Sequence, residues 1–180
     1  HIAGTIDMDV RVSGGTLQLA ANGRIADSST VQVDGGATLD LQGFNDTIGA
    51  LALGGTLAGT GTLTAGQYQL TGATVNANLG AGTLFNLGGN STLNGTAAGD
   101  VSVQAGTLAL GAANRLADAA TVAVASGATL NLGTYSDTIG ALALGGPLAG
   151  TGTLTAGQYQ LTGATVNANL GAGTVYNLSG

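Results

Sequence analysis

The chain repeats itself after 91 residues. Aligning His1–Gly89 with Thr92–Gly180 gives 61 identities in 89 pairs, and Asp46–Thr83 recurs as Asp137–Thr174 with one change, Thr56 against Pro147. A duplication this close means that whatever the unit 1–91 folds into must be extendable by the unit 92–180 without a change of architecture. The whole chain, 1–180, is therefore read as a single segment rather than as two domains. A shorter period shows inside each unit when the Gly- and Thr-rich phrases are stacked: Gly14–Gly35, Gly36–Gly55, Thr56–Gly80 and Ala81–Gln104 follow one another without a gap and together fill one unit length. The second copy reopens at Ala105, Gly127, Pro147 and Ala172. This spacing predicts four coils per unit and roughly eight to nine in all.

Within each coil, apolar and polar residues alternate, as in Thr16-Leu17-Gln18-Leu19, Thr30-Val31-Gln32-Val33 and Thr38-Leu39-Asp40-Leu41. A period of two puts Leu and Val on one face of a strand and Thr, Gln and Asp on the other. Two or three such strands in a coil of roughly 20 to 25 residues cannot bury their apolar faces alone, but successive coils stacked in register can. The prediction is an all-β fold, a parallel β-helix or β-solenoid, forming a rod on the order of 40 Å long at about 4.8 Å per coil. Antiparallel hairpins would need two-residue turn signals and would leave the fixed period unexplained.

Composition removes the competing classes. With 34 Gly and no apolar spacing of helical period, helices should be nearly absent. Collagen is excluded because Gly is not at every third position and Pro147 is the only proline. Disorder is opposed by a hydrophobic fraction of 44 % with only 7 % charged residues. The charged residues are nine Asp and three Arg, giving a net charge of −6. Nucleic acid, which needs clustered cations, is thus a poor partner. No run of 18 apolar residues predicts membrane insertion, the aromatic girdles of a transmembrane barrel are missing, and with no Cys the compartment is not fixed by disulfides.

Arg24 lies eight residues after Thr16 and Asp46 eight after Thr38, so aligned coils place Arg24 beside Asp46, and Arg115 beside Asp137. A cross-coil ion pair at a partly exposed corner is expected for each, contributing on the order of 0 to 1 kcal/mol. An acidic ligand held by the arginines is the functional alternative. Several Asp residues sit singly near Gly, Asn or Ser, where a carboxylate caps a turn, and the nonapeptide of calcium-binding rolls is absent. Asn76, Asn78, Asn86, Asn90 and Asn94, with Asn167, Asn169 and Asn177, are read as amide ladders before a sugar-binding groove. Tyr68 and Tyr159 share a strand face with Leu70 and Leu161, which favours packing over sugar stacking. No acid, base or nucleophile is placed for catalysis: Lys is absent and the only His is His1. No catalytic, cofactor-binding or metal-ligating residue is assigned, and no cofactor is expected. Ice binding would need Thr-x-Thr in every coil, yet only Thr60, Thr62 and Thr64, with Thr151, Thr153 and Thr155, form such a run.

The phrases GGTLQLAANGRIADSSTVQVDGGATLDLQGFNDTIGALALGG (Gly14–Gly55) and GTLALGAANRLADAATVAVASGATLNLGTYSDTIGALALGG (Gly106–Gly146) resemble the passenger-associated repeats of bacterial autotransporters. The likeness extends to filamentous haemagglutinin-like adhesins and covers essentially the whole chain. It implies a right-handed β-helix displayed on a Gram-negative cell surface or secreted, with the translocating barrel elsewhere in the parent. The implied function is structural or adhesive: adhesion, autoaggregation, biofilm formation or a stalk. A polysaccharide-binding or polysaccharide-processing β-helix and an ice-binding solenoid are the alternatives. Unpaired strands at the end coils predict self-association there.

Overall fold

The computed structural model describes residues 1–178, and every strand pairing among them is parallel. No helix occurs in this range. Among the described residues one sheet has twelve strands and the other eight. In the larger sheet the strands Asp46–Leu53 and Thr62–Thr71 bend round a corner, where the in-out alternation breaks at Gly49–Ala50 and at Gly66–Gln67. Their first halves make a short third wall, carried through other coils by the bridges Ile6 to Ile25, Leu79 to Ala97 and Ala97 to Leu116. The result is a β-solenoid with three walls.

The register along the main sheet counts the coils. Val10, Val31, Leu51, Tyr68, Leu84 and Val101 stand in one column. The steps are uneven, wide from Val10 to Val31 and tight from Tyr68 to Leu84, and together they span one repeat unit. The column continues through Val122, Leu142, Tyr159 and Val175. The described residues make ten coils, five per unit, where the phrase spacing predicts four and a total of eight to nine. The difference lies in Thr56–Gln104, which winds as three tight coils instead of two wide ones. Gly72-Ala73-Thr74-Val75 opens a coil on the eight-stranded sheet, pairing with Thr56–Ala58. AGTLFNL, read from sequence as the same kind of opening, instead lies on the main sheet as Thr83–Gly88. Both sheets alternate with the same period, so a Gly-Thr-Leu phrase does not tell which wall it belongs to.

The inward side chains form one continuous cluster from Val12 to Ala168, built almost wholly from Leu, Val, Ile and Ala. Fully burying each of the larger aliphatics contributes about 1.5 to 3 kcal/mol. Tyr68 and Tyr159 are wholly buried, as their strand face predicts. The Tyr68 hydroxyl accepts the Ala65 N–H at 2.9 Å and lies 2.9 Å from the Leu63 carbonyl, to which it donates. Tyr159 repeats this with Ala156 and Leu154 at 2.8 and 2.9 Å. The ring is thus packed inside the corner, and its hydroxyl satisfies backbone groups on the bend.

Two differences between the copies follow the backbone. Gln42 and Asn114 have positive φ, 56° and 55°, and their counterparts in the other copy are Gly133 and Gly23, at 59° and 60°. The left-handed conformation is kept in both copies whichever residue occupies it.

Candidate functional site

Asp46 and Asp137 are the most deeply buried charged groups, 4 % and 2 % exposed, on inward positions of the third wall. Their columns are otherwise apolar: Asp46 pairs with Leu63, which pairs with Leu79. The Asp46 carboxylate accepts the backbone N–H of Arg24 at 2.8 Å and of Ile25 at 3.2 Å through Oδ2, and that of Thr47 at 2.8 Å through Oδ1. Asp137 accepts those of Arg115, Leu116 and Thr138 at 2.7, 3.1 and 2.8 Å. Each Arg does stand beside its Asp across the coils, but the side-chain ion pair at an exposed corner is not built. The Arg24 guanidinium donates to the Asn22 and Ala3 carbonyls, and that of Arg115 to the Ala113 and Asn94 carbonyls. The physical reason is the bend before the third wall. It leaves two successive N–H groups without a strand partner, and an inward carboxylate satisfies both at once.

Burial pushes the Asp46 and Asp137 carboxyls above the ordinary carboxylate range, outweighing the backbone N–H donors that pull the other way. A carboxyl with a raised value in the fold favours folding fully below its unfolded value, and that contribution is lost as pH rises through the raised one. The Asp46→Asn, Asp137→Asn double variant removes this titration. The melting temperature of the native chain relative to the variant should therefore be highest in acid and fall as pH rises from about 4 toward neutrality. A relative stability that rises over the same interval would contradict the direction.

The ion pair that forms among the described residues joins Arg11 to Asp34 at 2.8 Å on the outer face of the main sheet. There Arg11 and Gln32 lower the Asp34 carboxyl below its usual range. One rung of the expected amide ladder is present, Asn94 Nδ2 donating to Asn76 Oδ1 at 2.7 Å. Asn78 receives Thr96 instead, and Asn86 is fully buried with its amide donating to the Ala105 carbonyl. Asp9 and Asp100 accept the N–H groups of Thr30 and Thr121 at 2.7 and 2.8 Å, one coil away. Among the described residues no three His, Asp or Glu side chains stand together as a metal set, and no helix is long and apolar enough to cross a membrane.

Sequence reasoning misses two outer features. Thr16, Thr38, Thr56, Thr74 and Thr92 stack in one unbroken row on the eight-stranded sheet. The row is single, since the outward positions two residues on hold Gln18, Asp40 and Ala58. Its signal is the Thr that opens each of these phrases, but only a correct coil count aligns them. The second feature is a pair of shallow recesses on the main sheet, at matching positions in the two copies. One is lined by Gln32, Asp34, Ala52, Gly54, Gln69 and Thr71, the other by Ala123, Ala125, Ala143, Gly145, Gln160 and Thr162. Each forms because a coil presenting Ala and Gly lies beside one presenting Gln and Thr. Comparison with family models, curated proteins and solved structures found no match for the chain.

Proposed function

We propose that the chain is a rod segment of a surface-displayed or secreted bacterial protein of autotransporter type, acting as a stalk with an adhesive or self-adhesive face, and that it is not an enzyme. The observation that carries the reading is the unbroken apolar interior, which links ten coils into one elongated element of duplicated units. Such an element gains reach by repetition, and the second unit presents the surface of Asp46–Thr83 again as Asp137–Thr174 with one change. The experiment is to fuse the chain to a translocator barrel in a Gram-negative host and follow surface protease accessibility and cell settling. Surface display with faster settling supports the proposal. Display with settling equal to that of the barrel alone removes the adhesive part and leaves the stalk, and failure to reach the surface overturns the localisation.

The duplicated recess favours a second reading, in which a neutral polysaccharide lies across Gln32, Gln69 and Gln160 with its rings over Ala52 and Ala143. Retention on glycan-coated surfaces that is lost in a Gln69→Ala, Gln160→Ala variant would shift the conclusion to it.

A further inference from the structure

The outer face of the main sheet carries two apolar ridges and two recesses at the same spacing. Coils are numbered one to ten along the column from Val10 to Val175. One residue further on, the side chains point outward: Ala52 on coil three is followed by Gln69 and then Phe85 on coil five, and Ala143 on coil eight by Gln160 and then Tyr176 on coil ten. Beside Phe85 the ladder slips between Asn86 and Gly88, which skips Leu87 and leaves it 41 % exposed. Coils lie on both sides of this ridge, so its exposure belongs to the face of the rod. Its counterparts Tyr176 and Leu178 are 48 % and 53 % exposed. The recesses over Ala52 with Gly54, and over Ala143 with Gly145, have volumes of about 480 and 220 Å³. Even the smaller exceeds the roughly 150 Å³ that holds a benzene ring. Ridge and recess each recur after five coils, because each repeat unit supplies one of both.

We propose that the chain binds a second copy of itself side by side, main sheet against main sheet with the rod axes antiparallel, coil five of each molecule seated on coil eight of the other. The same offset sets coil ten on coil three. Phe85 then enters the recess over Ala143 and Tyr176 that over Ala52, while Leu87 and Leu178 lie against Gly145 and Gly54. Both ridges of each molecule fill both recesses of the other, and Gln69 faces Gln160 across the contact. Sliding by one repeat seats a single ridge of each molecule, and an unshifted parallel pair sets Phe85 on Phe85. The contact is isologous, with its two-fold axis along the strands between coils six and seven, so it closes as a dimer. The main-sheet strands of coils three to ten carry no carboxylate or cation, so a chain of net charge −6 meets its copy where it is least charged. Eight coils at about 4.8 Å and a strand of roughly five residues at about 3.3 Å each cover about 650 Å² per molecule. The total of about 1,300 Å² lies within the range of specific, stable contacts. This inference rests on the self-adhesive reading above and gives that face its partner and its register.

The test is sedimentation with small-angle scattering on the native chain, whose mass should rise with concentration to that of two chains while its cross-sectional radius grows. Ala143→Arg fills one recess from an outward position, and Phe85→Ser removes one ridge; circular dichroism checks that both keep the native fold. Each variant should dissociate roughly ten-fold more readily or beyond. Orientation is read by crosslinking, since the chain has no Cys of its own. With a short bis-maleimide, Gln69→Cys should crosslink to Gln160→Cys in a mixture, and neither should crosslink to itself, because the two like positions stand five coils apart across the contact. A native chain that stays monomeric, association at constant cross-section, or Gln69→Cys crosslinked to itself overturns the proposal. Cell settling reads the proposed function separately: settling that is unchanged by Ala143→Arg overturns this contact and leaves the adhesive reading standing.

Discussion

Removing Leu51–Ala141 should leave a folded rod of five coils. The excised stretch is one full repeat long, and the new joint, Ala50 to Leu142, recreates the local sequence DTIGALALGG that both copies already contain. Every contact at the joint exists in the native chain: Thr30–Val33 would meet Ala50 and Leu142–Leu144 as it now meets Ala50–Leu53. In a stacked architecture stability is approximately a sum of coil and nearest-neighbour terms, so the shortened chain should melt cooperatively but well below the native one. Extending the excision to Leu51–Gly150 deletes the main-sheet strand of one coil and the strand Leu148–Ala149 of the next. Asp46–Ile48 would then run directly into the wall it should face after a full turn. That product should show no cooperative transition in thermal denaturation. Equal stability of the two deletions would mean that integral coil number does not govern the fold.

Gly61→Val should be severely destabilising. A Cβ at Gly61 would fall inside the van der Waals contact of the Phe44 carbonyl oxygen, and one at Gly152 meets the Tyr135 carbonyl in the same way. The obstruction is backbone in the neighbouring coil, so no rotamer change relieves it. The coils can separate only by breaking the ladders on either side. Overpacking of this kind costs about 3 kcal/mol or more. For a chain of this size that corresponds to a drop of roughly 6 to 12 °C in Tm. Gly14→Ala is the matched control: nothing lies within 4 Å of its Cβ position and its φ is not positive, so its Tm should be unchanged within a degree or so. A Gly61→Val chain melting like the control would show that these coils are less closely stacked than the structure has them.

The two experiments probe different layers of the same constraint. Tight coils such as the one from Tyr68 to Leu84 exist because glycines at corners let backbone meet backbone, and the repeat length works because it contains a whole number of coils. The buried carboxylates of Asp46 and Asp137 serve the same end. They complete a corner where the chain turns too sharply for strand pairing, which explains why an Asp survives at a position whose neighbours in the column are Leu.

Much of the architecture is legible in the sequence. The duplication requires an extendable fold, and the alternation in Thr30-Val31-Gln32-Val33 and its kin requires strands with one buried face. Tyr68 and Tyr159 are legible as core residues because they share parity with Leu70 and Leu161. Such patterns are periodic, and a period survives being read without coordinates. The coil count, the fate of the Arg24 and Asp46 side chains, the Thr row and the recesses are decided by tertiary structure alone. Each depends on which residues become neighbours one coil away. That offset changes along the chain, from the wide step between Val10 and Val31 to the tight one between Tyr68 and Leu84, according to how closely each corner shuts. Parity along a strand is a local property of the chain, but the length of a corner is set by the coil beneath it.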